Sequence, residues 1–204
     1  MILALSTSVL DLRSHARLGT MATLKFNEKK FKELILYLAA KHEDERFWGA
    51  TKLNKCLFYA DFLAYQKHGE AITGAEYIAL ERGPAPRRLL PVQKEMLASG
   101  EIAIQERPMQ RRIVALREPD LSQFTAQEIA LVDEVIERTR MADANTLSEL
   151  THGFLGWKAA RAESEATGRQ VVIPYRTVFV SNKKPDEFEE AHGRELARKH
   201  GWPG

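Results

Sequence analysis

The chain has 204 residues, 44% of them hydrophobic and 28% charged, and a formal net charge of +2. That composition excludes a disordered or fibrous chain, and a globule of this length buries roughly 70% of its unfolded surface without needing a metal or a disulfide. The near-neutral total also argues against a surface built wholly for nucleic acid.

Residues 1–20 hold two short apolar runs, interrupted by Ser6, Thr7 and Ser8 and followed by Arg13 and Arg17. A secretory leader places charge before an unbroken apolar core, and a membrane span needs about 18 or more apolar residues in a row; neither pattern is present. Met21 is a candidate start, so residues 1–24 read as an extension and 25–204 as one domain. The single cysteine, Cys56, stands among Leu53, Leu57 and Ala60 and reads as a buried, reduced thiol of a cytoplasmic protein.

Along residues 26–41, Phe31, Leu34, Ile35 and Leu38 line one face of a predicted helix, and a charged loop at 42–46 ends it. In the next stretch Leu53, Leu57, Ala60 and Ala64 recur at spacings of three and four. They predict a helix that packs inward and turns Lys52, Lys55, Asp61 and Gln66 to solvent, stopped at His68-Gly69. Thr73 and Glu76 match a capping box, with Ile72 and Tyr77 placed as a hydrophobic staple, so a second helix is expected to run to about Gly83-Pro84. Pro84 and Pro86 then introduce a third, over 87–98, with Arg87 and Arg88 in its first turns.

After Ser99-Gly100, Ile102 and Ile104 alternate with polar neighbours, Pro108 interrupts, and Ile113, Ala115 and Leu116 follow, which predicts a two-stranded hairpin. Phe124, Thr125, Glu128 and Ile129 repeat the staple and box, opening a helix over 126–139 with Ile129, Val132 and Ile136 inward. Thr146 and Glu149 mark a further helical start. Phe154, Trp157 and Ala160 then continue to Gly168, with Trp157 expected as a core anchor. Val171, Val172 and Ile173 before Pro174 turn the pattern extended, residues 177–180 suit a short strand or crossing segment, and 185–199 reads as a final helix. The fold class expected is mainly α, a compact multi-helix domain with a small antiparallel β-hairpin; α+β is the alternative.

A search for chemistry finds no reactive constellation. Glu189 and His192 share one helical face, but a di-iron bundle needs that element twice with further glutamates. Ser181 and Lys184 match S-x-x-K without its companion motifs, and Cys56 lacks a local base. No nucleophile elbow, phosphate-cradling loop or dinucleotide fingerprint occurs. Asp61, Glu76 and Glu81 form no acid–base pair that spacing alone supports. The expectation is therefore a protein that is not an enzyme, with no catalytic residue, cofactor or metal.

Charge is unevenly spread: residues 84–117 carry seven Lys or Arg against three Glu, net +4, and residues 118–170 carry five against ten Asp or Glu, net −5. A third helix starting with arginines and a hairpin bearing Arg107, Arg111 and Arg112 make a winged-helix-like DNA-binding regulator the alternative function.

Several blocks carry a resemblance. K-L-N-K-x-L-F-Y-A-D at 52–61, I-T-G-A-E-Y at 72–77 and R-G-P-A-P-R-R at 82–88 are similar to the signature of the Panacea antitoxin domain family, the SocA-like group also met as phage-associated proteins. L-R-E-P-D-L at 116–121, L-T-H-G-F-L-G-W at 150–157 and I-P-Y at 173–175 resemble its later blocks in the same order. The resemblance implies an antitoxin that neutralises a toxin encoded next door by forming a complex, with delivery of the toxin to a protease as a variant of that mode. The toxins of such families come from unrelated classes, small alarmone-synthetase-like enzymes among them. A protein-binding surface needs an apolar or aromatic anchor within a charged rim. Tyr59, Tyr65, Arg82, Gly83, Pro84, Arg87 and Arg88 are the candidates for it.

Overall fold

The computed structural model describes residues 24–108 and 110–180, together with 191, 194, 195, 198 and 199. The N-terminal extension with its Met21 start, the Ser181 loop, the Glu189 and His192 spacing and most of the final helix lie outside the described residues. In chain order come α1 (Glu28–Lys41), α2 (Ala50–His68), a hairpin of β1 (Tyr77–Leu80) and β2 (Gly83–Pro86), then α3 (Leu89–Ala98). A second hairpin, β3 (Ile102–Arg107) and β4 (Gln110–Ala115), precedes α4 (Ala126–Thr139), α5 (Ala144–His152) and α6 (Leu155–Thr167). The fold is mainly α with two small antiparallel sheets.

Local chemistry sets most helix ends. Asn27 caps α1 by accepting from the Lys30 amide at 3.0 Å, and Thr125 and Glu128 complete the capping box of α4. Asp143, not Thr146, caps α5, accepting from the Thr146 amide at 2.8 Å. Phe31, Leu34, Ile35 and Leu38 of α1 are fully buried, each contributing roughly 1.5–3 kcal/mol. On α4, Val132 and Ile136 are buried as expected, with Leu131 and Val135, while Ile129 is only partly so.

The central element is α2, which packs against α1, α4, α5, β2 and β4. Being covered on most sides, it buries three of its charged residues too. Lys52, Lys55 and Asp61 are at most 1% exposed, which overturns the expectation that they face solvent. Phe58 and Phe62 of α2 gather Tyr77 and Phe154 at centroid distances of 5.5 to 5.7 Å, and Phe62 stacks on Tyr175 at 4.5 Å.

The expected second helix is instead the first hairpin. Ile72 and Tyr77 are buried, the Thr73 hydroxyl donates to Asp61 at 2.5 Å, and Glu76 pairs with Arg87, so no residue of the supposed box caps anything. The register pairs Ile78 with Ala85 and Leu80 with Gly83, and the Arg87 amide donates to the Glu76 carbonyl at 2.8 Å. Stepping by two from that bond places Gly83 and Ala85 at ladder positions and Pro84 and Pro86 where a backbone N–H would face away from β1. Proline is therefore tolerated in this strand. The outer side of β1 meets residues 171–173, with Ile173 donating to the Tyr77 carbonyl at 2.7 Å. The stretch 177–180, expected as a short strand or crossing segment, is no strand: Tyr175–Phe179 forms a 3-10 turn.

Candidate partner-binding surface

The buried charges of α2 each serve a distant segment. Lys52 meets the Glu45 carboxylate and donates to the carbonyls of Arg140, at 3.0 Å, and Ala142, at 3.3 Å, fastening the α4–α5 connection. Asp61 accepts from the Thr73 amide at 2.7 Å, from its hydroxyl, and from Tyr77 Oη at 2.8 Å, so it fixes the approach to β1. Burial raises the Asp61 carboxyl, opposed by these hydrogen bonds from Thr73 and Tyr77. Lys55 Nζ donates to the carbonyls of Arg82 at 2.5 Å and Pro84 at 3.4 Å. Among the described residues it has no ion pair, and burial pushes its pKa down to about 7.

The turn joining β1 to β2 is Glu81-Arg82, followed by Gly83 at φ 102°. A Cβ on Gly83 would collide with Lys55 Nζ and Thr151 Oγ1, so both the conformation and the close approach require glycine. Side chains from the neighbouring helices hold the turn by its carbonyls. Trp157 Nε1 of α6 donates to Leu80 at 3.0 Å, and His152 Nε2 of α5 lies 3.1 Å from the Glu81 oxygen. A carbonyl only accepts, so that ring nitrogen carries the proton. Lys55 of α2 takes Arg82 and Pro84 from within. His152 and Trp157 stack at 4.3 Å with 14° between their planes, bracing each other. What remains outside is Leu80, 41% exposed, with the exposed Glu81 and Arg82 beside the partly exposed His152 and Trp157. The arrangement is an apolar and aromatic centre with charge at its edge, on a backbone fixed from both sides.

Of the residues singled out from sequence, Arg82, Gly83 and Pro84 meet at this turn. Tyr59 does not: it is 1% exposed, a core residue on the side of α2 that the other elements cover. Tyr65 is partly exposed and packs against Tyr175 and Phe179. Arg87 and Arg88 lie at the foot of the hairpin, before α3 rather than in its first turn. Arg87 pairs with Glu76 at 2.8 Å, while Arg88 pairs with Glu28 at 3.1 Å and lies over the Phe26 ring. Trp157, expected as a core anchor, packs against the core but reaches the turn with its indole N–H. Sequence reading missed Leu80 and His152 as parts of the surface and Lys55 as the buried support beneath it. The signal available was that Lys55 and His152 fall inside the family-like blocks.

The basic hairpin is less open to nucleic acid than its sequence suggests. Arg112 is 2% exposed and donates to the carbonyls of Glu43 at 2.6 Å and His42 at 3.3 Å, so it is a buried brace and not a phosphate contact. Arg111 is exposed but paired with Glu106 at 2.9 Å, and Arg107 donates to Gln105. Arg107 and Arg112 line a groove of about 570 Å³ beside the end of α1, where Glu43, Asp44 and Glu118 offset their charge. Cys56 is fully buried 3.6 Å from Thr139 Oγ1, and burial pushes its thiol up to about 11. Among the described residues no group of His, Cys, Asp or Glu is arranged to hold a metal, and no helix is long and apolar enough to cross a membrane.

A family model described as "Antitoxin SocA-like, Panacea domain" matches residues 53–158, just over half of the chain. The chain belongs to the Panacea family. The matched span of this Panacea chain opens inside α2 and closes just after Trp157, so it encloses Lys55, the whole first hairpin, His152 and Trp157. At the level of the family, membership supports a toxin–antitoxin role and a toxin as the partner in general. No curated protein and no solved structure matches the chain.

Proposed function

We propose that this chain is an antitoxin that neutralises the toxin encoded beside it by binding it directly, with the Leu80-Glu81-Arg82 turn as the centre of the contact. It acts stoichiometrically, as a binder and not as an enzyme. The observation that carries this reading is the clamp on the turn: three helices donate side-chain hydrogen bonds to four consecutive or near-consecutive carbonyls, Leu80, Glu81, Arg82 and Pro84. A two-stranded hairpin is marginal on its own, and here the support is concentrated at the turn itself. Support of that kind lowers the ordering cost of association, because the exposed side chains are already presented on a fixed frame. Leu80 and Trp157 supply the apolar anchor, and Arg82, which makes no ion pair among the described residues, supplies the charge.

The test is co-expression with the neighbouring gene, using growth and co-purification as readouts. Wild-type chain restores growth and retains the neighbour's product, whereas Leu80→Asp and Arg82→Glu, folded by thermal melting, lose at least about tenfold in affinity. A neighbour that is harmless alone, or that stays toxic beside abundant chain, removes the antitoxin reading. Full rescue by both variants removes the turn as its surface.

A further inference from the structure

Lys55 is the one cation of the α2 interior whose partners are carbonyls alone. Lys52, one turn earlier, faces the Glu45 carboxylate; Lys55 has the Arg82 and Pro84 oxygens and, among the described residues, no acid within ion-pair reach. An ammonium has three N–H groups to satisfy and a neutral amine has two. Two carbonyls therefore match the neutral form, and the charged form is left with a surplus donor and an uncompensated charge, 1% exposed to solvent. Gly83 closes the remaining space, since its missing side chain is what lets the amine and Thr151 meet the backbone.

We propose that Lys55 is a proton-operated latch on the hairpin turn: neutral, it fastens the turn that the partner grips, and on taking up a proton it lets the turn open. Its consequence for toxin binding rests on the antitoxin reading; the latch itself does not. Among the described residues the surroundings contain no competing counter-ion. In the first hairpin the neighbours are the backbone of Arg82 in the turn and of Gly83 and Pro84 in β2, with the Glu81 and Arg82 side chains in solvent. On α5 they are Thr151, which donates to its own helix, and His152, held at the Glu81 carbonyl. On α2 itself Lys52 is committed to Glu45.

The sign follows from linkage. In the open turn Lys55 meets water and regains an ordinary lysine value of about 10.4, whereas closed it titrates at about 7. Between those values the open state binds more protons, so closure strengthens as pH rises from about 7 and is weakest, and flat, below it. The equilibrium between open and closed turn shifts by up to about tenfold per pH unit across that window. Lys55 thus places the sensitive edge of the window close to neutrality.

Isolated chain, isotope-labelled, tests this without any partner. The Lys55 side-chain carbon resonance is followed from pH 6 to 10, together with amide exchange, corrected for intrinsic rate, at Leu80, Gly83 and Ala85; Val132 and Val135 of α4 serve as controls. Because imidazoles also change charge near neutrality, the series is repeated in His152→Gln. The expected result is a Lys55 titration near 7 and protection at the three hairpin amides that rises toward tenfold per pH unit above it, with the same slope against pH in His152→Gln even where its overall protection is lower, and with no such slope in Lys55→Met. A Lys55 that stays charged to pH 9, or hairpin amides that follow the α4 controls, overturns the latch. A chain that latches but fails to neutralise its neighbour sinks only the antitoxin reading, and one that neutralises with a pH-flat turn sinks only the latch.

Discussion

The two hairpins are fastened by the same device at different places. Each is gripped by a tryptophan whose indole N–H donates to a strand carbonyl, Trp157 to Leu80 at 3.0 Å and Trp48 to Ile113 at 2.9 Å. Each tryptophan stacks on a histidine at 4.3 Å, His152 in one case and His42 in the other. In the first hairpin the grip is at the turn, and both strands are largely buried. In the second it is in the middle of β4, Trp48 is 1% exposed, and the strand ends at Arg107 and Gln110 run outward past the anchor. A turn held at its tip keeps a fixed shape while its side chains stay exposed. A hairpin held at its waist contributes stability to the core it covers.

That contrast breaks first at glycine. Gly83→Ala introduces both a disfavoured φ of 102° and a collision with Lys55 and Thr151, and we expect a loss of about 3 kcal/mol in urea unfolding. Gly100→Ala, leading into the second hairpin at φ 70° with open space around it, is expected to lose about 1 kcal/mol. Equal losses would mean that the first turn is not as crowded as its geometry states. Next come the anchors. Trp48→Phe leaves a buried carbonyl unpaired and a small void, about 2 kcal/mol by the same measurement, against about 1 kcal/mol for Trp157→Phe, where water reaches the site. If Trp157→Phe costs more than Trp48→Phe, the division between a displayed hairpin and a structural one is wrong. Smallest is Arg111→Ala. Its ion pair with Glu106 joins side chains 65% and 66% exposed, so its removal changes stability by less than about 0.5 kcal/mol.

Elements whose pattern is local were legible in the sequence. α1 and α4 show one apolar face and side-chain caps within three residues, and the alternation around Ile102 and Ile113 marks the second hairpin. The first hairpin was hidden because Pro84 and Pro86 resemble helix punctuation. The overlooked cue is their spacing of two, which a strand needs if its prolines are to stay off the ladder. The candidate surface was half visible: Arg82 and the Gly83-Pro84 turn stood out, but Lys55 and Asp61 did not. Periodicity assigns charge to the solvent side, and these two are satisfied by Arg82, Pro84, Thr73 and Tyr77, partners 12 to 29 residues away that only the folded chain brings near. Trp157 reads as core from sequence, and it does pack there, but bulk and apolarity say nothing about where its indole N–H is needed.

The placement of Pro84 and Pro86 has a further consequence. Among the described residues, β2 has no N–H on its outer side at those positions and residues 171–173 lie along β1, so neither strand of this small sheet offers a free ladder to another strand. Unprotected edges template aggregation, and here the template is missing by composition on one side and occupied on the other. The exposed side chains of the turn, Leu80, Glu81 and Arg82, can therefore be exchanged without disturbing the frame beneath them.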